Sequence, residues 1–116
     1  MVPSANRLKR RSEFGRVYSR GRSYVTDLVV VYVLPSKEET TRIGFSVSKK
    51  LGKSVVRNRV KRMLREAVRS YLPRIRPGFH AVVVARVKAG SAAFSDISAA
   101  LGSALERSGI LNAGNQ

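Results

Sequence analysis

SVVRNRVKRMLREAVRSYL, residues 54–72, carries six strong bases and one acid on a stretch whose apolar residues recur at helical spacing. At about 100° per residue, Val56, Val60, Met63, Leu64, Ala67 and Tyr71 fall on one stripe. Asn58, Arg62, Arg65 and Arg69 gather on the opposite side, with Arg59 and Lys61 on the flanks. Arg57 lies nearer the core edge, in the exposed first turn. The spacing predicts an amphipathic helix opened after Gly52 and closed by Pro73, its greasy underside on a core and its top a ridge of charge. Lys49, Lys50 and Lys53 just upstream bring the count to nine bases between positions 49 and 69.

Such a ridge works against the helix that bears it. Arg57, Lys61, Arg65 and Arg69 repeat like charge at i,i+4, which costs a few tenths of a kcal/mol per pair. Bases in the first turn also meet the unfavourable end of the helix dipole. A merely solvated face would mix signs. Phosphate binding accounts for the pattern, because guanidinium forks bridge phosphate oxygens bidentately and arginine outnumbers lysine here.

The whole chain agrees. Its 116 residues suit one domain with a single core, and 43% of them are apolar, enough to fill it. There are 23 Lys+Arg against 7 Asp+Glu, a formal net charge of +16, which calls for a polyanionic partner. Residues 1–69 hold 18 bases and 5 acids, the remainder 5 and 2, so one part of the molecule faces that partner. With no cysteine, neither a disulfide nor a thiolate zinc site can staple the fold. No signal peptide is evident, and the apolar run 28–34 is too short to span a bilayer, so a soluble cytoplasmic protein is expected.

Working outward, residues 1–11 read as a basic arm that orders on a partner, and residues 12–109 as the folded domain. Residues 110–116 form a tail without a signal. Ser12 reads as the N-cap of a short helix stopped by Gly21. Residues 22–34 have β character with a break at Thr26-Asp27, and LVVVYVL suits a strand covered on both faces. RIGFSVS, residues 42–48, alternates like a returning antiparallel strand. HAVVVARV, residues 80–87, is a further strand. A last helix runs from Ser91 or Ala92 to about Arg107, with Phe94, Ile97, Leu101 and Leu105 on its stripe. The expected fold class is α+β, a single-domain α/β sandwich of three helices and a mostly antiparallel sheet of about four strands.

SVSKKLGKSVVRNRVKRMLRE, residues 46–66 with Arg57-Asn58-Arg59 at its centre, resembles the signature segment of the bacterial ribonuclease P protein family. RLKRRSEFGRVYSRG, residues 7–21, is similar to that family's first helix, and the likeness covers about residues 6–107. The resemblance implies a left-handed βαβ crossover, whereas parallel connections are nearly always right-handed. It also implies a protein subunit of an endoribonuclease whose RNA performs the catalysis, removing the 5′ leader of precursor tRNA. Mg²⁺ would be held mainly by that RNA. The partners would be ribonuclease P RNA and precursor tRNA, with no membrane and no further protein required. Lys49, Lys50, Lys53, Arg57, Asn58, Arg59, Lys61, Arg62, Arg65 and Arg69 would face RNA. A leader cleft would use Arg7, Arg11, Phe14, Tyr18, Tyr32 and Arg86, with Lys88 nearby.

The residues support that cleft on their own terms. Phe14 and Tyr18 are i,i+4 neighbours beside Arg7, Arg11 and Arg22, and aromatic faces among bases hold single strands at about 1–3 kcal/mol per stacked base. An aromatic pair at helical spacing also packs into cores, and Tyr32 suits a cleft wall or a core margin equally. Protein-based chemistry has little to stand on. The seven acids are scattered, Glu38-Glu39 lies in a polar turn, and His80 has no evident partner. The alternative function is a ribosomal or other structural RNA-binding protein. A DNA-groove module would need a preceding helix at turn spacing. A membrane-surface helix would surrender the only plausible core.

Overall fold

The computed structural model describes residues 2–112. The elements run α1 (Arg11–Arg20), β1 (Arg22–Val25), β2 (Val29–Pro35), β3 (Arg42–Ser46), α2 (Ser54–Tyr71), β4 (Phe79–Ala85) and α3 (Phe94–Ser108). Short 3₁₀ turns occupy Lys49–Leu51 and Val87–Ser91. The four strands lie in the order β1-β2-β4-β3.

β2 pairs antiparallel with β1 on one side and, over seven residues, with β4 on the other. Both its edges are thus taken, which explains its unbroken run of β-branched residues. β3 therefore does not return against β2 as its alternation suggests; it lies on the far edge of β4, parallel to it. Thr41 directs this return: its hydroxyl donates to the Arg76 carbonyl at 2.5 Å and accepts from the Phe79 amide at 3.2 Å. The α2 crossover then carries the chain from β3 to β4 as a βαβ unit. Period-2 patterning shows that a segment is a strand, but not which edge it joins.

Val29, Val31 and Val33 of β2 and Ala81, Val83 and Ala85 of β4 face the main core with Val60, Leu64, Val68, Ile97, Leu101 and Leu105. Their neighbours Tyr32, Leu34, Val82 and Val84 point to the other face, where Leu8, Phe14 and Val17 form a second, smaller cluster. α1 packs there against β2 and β4.

Several local expectations shift. The N-cap of α1 is Arg10, not Ser12, and its backbone N–H donates to Glu13 Oε1 at 3.1 Å. Residues 2–8 are no free arm: Val2 and Leu8 are buried, the Leu8 amide donates to the Ile43 carbonyl at 3.0 Å, and Asn6 Nδ2 donates to the Thr41 carbonyl at 2.9 Å. Ile110 and Leu111, the start of the expected tail, close the core, with Leu111 bridged to Ile75; residues 113–116 lie outside the described ones. α3 begins at Phe94 rather than at Ser91 or Ala92, and Phe94, on the helix's first position, is exposed instead of joining the buried stripe.

Candidate nucleic-acid interface

α2 is anchored from below. Val60, Leu64, Ala67 and Val68 are buried, while Val56, Met63 and Tyr71 are only half-buried. The core face is thus turned toward Val68 from the stripe expected. Burying Val60, Leu64 and Val68 contributes roughly 1.5–3 kcal/mol each. Three like-charge i,i+4 pairs cost about 0.2–0.5 kcal/mol apiece. The underside wins, so the ridge is held rigid despite its repulsion.

The ridge side chains divide by what they touch. Arg57 Nε donates to the Gly52 carbonyl at 3.1 Å, and an Arg59 guanidinium nitrogen donates to the Gly90 carbonyl. Both hold neighbouring turns in place. Arg69 pairs with Glu66 at 2.8 Å. That hydrogen bond holds the Glu66 carboxyl below its ordinary value and raises Arg69. Arg62 and Arg65 are exposed, and their side chains, like those of Lys49, Lys50, Lys53 and Lys61, make no hydrogen bond or ion pair with the described residues. Asn58 is exposed between them. Gly52, with φ +136°, turns the chain into α2, whose N-terminus has no side-chain cap and no acid in its first turn. Unsatisfied amides there add to the positive field of the lysines.

α1 builds the second surface. Its Val17 is fully buried against the sheet. The Phe14 ring lies so close on β3 that Gly44 has no room for a Cβ. Phe14 is therefore a packing residue with one side open. Tyr18 projects further, 40% exposed, and meets Tyr32 edge to face with ring centroids 5.1 Å apart. Arg11 is exposed on the same flank of α1 by helical spacing. Arg7 is not with them: it is bridged to Ile43 and lines a cavity with Glu13, Glu38 and Arg42, on the other flank.

A cavity of about 370 Å³ beyond the end of β4 is lined by Lys50, Arg86 and Lys88 with Asp27, Ser48 and Leu51 among its walls. Arg86 is held there by a 2.9 Å hydrogen bond from its guanidinium to the Thr26 carbonyl.

His80 does have partners. It is buried, with Nε2 2.9 Å from Glu38 Oε1 and 3.3 Å from Ser36 Oγ. The hydrogen bond from His80, followed by that from Arg42, holds the Glu38 carboxyl below its ordinary value. Both contacts fall on a single ring nitrogen, so this is no Ser–His–carboxylate relay, which needs one on each nitrogen. Among the described residues no three His, Cys, Asp or Glu side chains stand together as a metal site. No described helix is long and apolar enough to cross a membrane. Sequence reading missed Arg16, Arg20, Lys37 and Arg42 as a group; the i,i+4 spacing of Arg16 and Arg20, opposite the aromatic flank, was the available signal.

A cationic ridge on a helix anchored by its underside, with an aromatic pair on the other face of a four-stranded sheet, defines a small protein suited to bind a polyanionic strand. The profile of the ribonuclease P family matches residues 2–109. The Symbiobacterium thermophilum ribonuclease P protein component is 47% identical over 111 residues, covering 95% of this chain and 96% of that protein. Among solved structures, the Staphylococcus aureus RNase P protein superposes with a TM-score of 0.85 at 33% identity, covering 92% of this chain and 98% of its own. That from Thermotoga maritima gives 0.79 at 30% identity, with 87% and 96% covered. The chain belongs to the ribonuclease P protein family. It therefore has a place in tRNA 5′ maturation as a component of that endoribonuclease.

Proposed function

We propose that this chain binds the ribonuclease P RNA through the α2 ridge and the 5′ leader of precursor tRNA through the α1 flank, leaving bond cleavage to the RNA. Lys49, Lys50, Lys53, Asn58, Lys61, Arg62 and Arg65 are the RNA-facing set, while Arg57, Arg59 and Arg69 shape the ridge as well as charging it. Tyr18 and Tyr32 offer the ring faces for unpaired leader bases, Phe14 supports them, and Arg11, Arg86 and Lys88 take leader phosphates. Mg²⁺ is held mainly by the RNA, whose phosphate repulsion the ridge screens. The cytoplasm is the compartment in which these partners meet.

The observation that supports this reading is the exposed ridge of Arg62 and Arg65, with Lys50 upstream of it lining a cavity beside Arg86 and Lys88. The test is photocrosslinking of precursor tRNA carrying 4-thiouridine in its leader to the assembled holoenzyme. Crosslinks on α1 and the end of β4 are expected. Crosslinks confined to α3 would overturn the assignment.

A further inference from the structure

The flank of α1 turned away from Tyr18 carries Glu13, Arg16 and Arg20, and it overlooks a different basic hollow. One part, about 490 Å³, is lined by Glu13, Arg16, Arg20, Lys37, Glu38 and His80 above the end of β2. A second part, about 310 Å³, is lined by Arg7, Lys9, Arg10 and Arg42 together with the same Glu13 and Glu38. Sharing those two walls, the parts form one trough.

Its acids are already engaged. Glu13 Oε1 accepts from the Arg10 backbone N–H at 3.1 Å, and Glu38 Oε1 accepts from Arg42 Nε at 2.9 Å while lying 2.9 Å from His80 Nε2. Its bases largely are not. Arg16, Arg20 and Lys37 are exposed, and no hydrogen bond or ion pair ties their side chains to the described residues. Arg7 Nε is buried without a hydrogen-bond partner. The trough is therefore a concentration of unspent positive charge.

Neither part is lined by Phe, Tyr or Trp, and the His80 ring in the wall of the larger part is buried, in contrast to the exposed Tyr18 on the other flank. A surface without an exposed ring has nothing on which unpaired bases stack, so it suits a backbone whose bases are occupied with one another. We propose that this trough seats the phosphate backbone of a base-paired RNA segment, separate from the single strand held across α1. The inference rests on the chain's being an RNA-binding component, but not on the leader assignment.

The test uses the full chain and its Arg16→Gln/Arg20→Gln variant, titrated over a range of salt with a 20-base-pair RNA duplex and with a single-stranded RNA. Both arginines are exposed, and circular dichroism checks that the variant folds. The expected result is about a tenfold loss of duplex affinity and a salt slope shallower by about 1.4–1.8 for two phosphates released, with single-strand binding unchanged. Unchanged duplex affinity, or equal losses on both RNAs, overturns the trough. Saturable binding of inorganic phosphate that depends on Arg16 and Arg20, without a duplex effect, overturns it in favour of a small-anion site. An Arg62→Ala/Arg65→Ala variant run alongside separates the cases. If it loses binding while the trough variant does not, only the trough falls; if neither does, the RNA-binding reading falls with it.

Discussion

Tyr18 and Tyr32 meet edge to face, centroids 5.1 Å apart and planes 86° apart, although one stands on a helix and the other on the central strand beneath it. Such a pair is worth roughly 0.5–1.5 kcal/mol beyond its buried area. It holds the exposed Tyr18 ring against the central strand. Replacing Tyr18 with Ala is expected to weaken holoenzyme affinity for precursor tRNA by about 1–3 kcal/mol while sparing mature tRNA. Equilibrium binding of the two RNAs checks this, and equal losses on both would remove the ring from the leader's path.

The ridge makes a graded prediction. Arg62→Ala and Arg65→Ala should each flatten the salt dependence of ribonuclease P RNA binding by about 0.7–0.9 in slope for every phosphate the missing guanidinium had neutralised. Arg69→Ala should do less, because its guanidinium is shared with Glu66 at 2.8 Å. Titrations at several salt concentrations rank the three variants.

Two glycines, one beneath α1 and one on it, test the packing of that helix. A Cβ at Gly44 would collide with the Phe14 ring, so Gly44→Ala should lift α1 and destabilise the fold by about 1–3 kcal/mol. At Gly15 a Cβ would meet open space, so Gly15→Ala should stabilise the helix by about 0.5–1 kcal/mol. Urea midpoints of the two variants should move in opposite directions.

Glu38 sets an acid limit on stability. Its folded carboxyl lies below the ordinary 4.5, held there first by the hydrogen bond from His80 and then by Arg42. A depressed carboxylate contributes stability that is present above its unfolded value and is lost as pH falls through the folded one. Wild type should therefore lose stability below about pH 4.5, and Glu38→Gln should show a shallower acid decline in thermal melts. Matching declines would leave the contact without energetic weight.

Much of this architecture can be read locally. Helix α2 ends within one residue of its expected close because Gly52 and Pro73 bracket a single apolar stripe. The Thr26-Asp27 break is real: the Thr26 hydroxyl donates to the Val29 carbonyl at 2.8 Å and splits the β run in two. What escapes local reading depends on distant partners. β3 joins β4 rather than β2, His80 meets Glu38 across 42 residues, and Ile110 and Leu111 look like tail until Ile75 is beside them. In the interface, the angular grouping of Arg62 and Arg65 is visible from spacing alone. That Arg59 serves a carbonyl and Arg7 stands across α1 from the aromatic flank is not, since both follow from loop positions that no periodicity encodes.

The decisive measurement is precursor-tRNA cleavage by the ribonuclease P RNA at low Mg²⁺, with and without the purified chain. A protein that holds leader and RNA together raises kcat/KM for the leader-bearing substrate, and the Arg62→Ala/Arg65→Ala variant should forfeit most of that gain. Cleavage unchanged by the chain, or cleavage by the chain with no RNA present, would contradict the account.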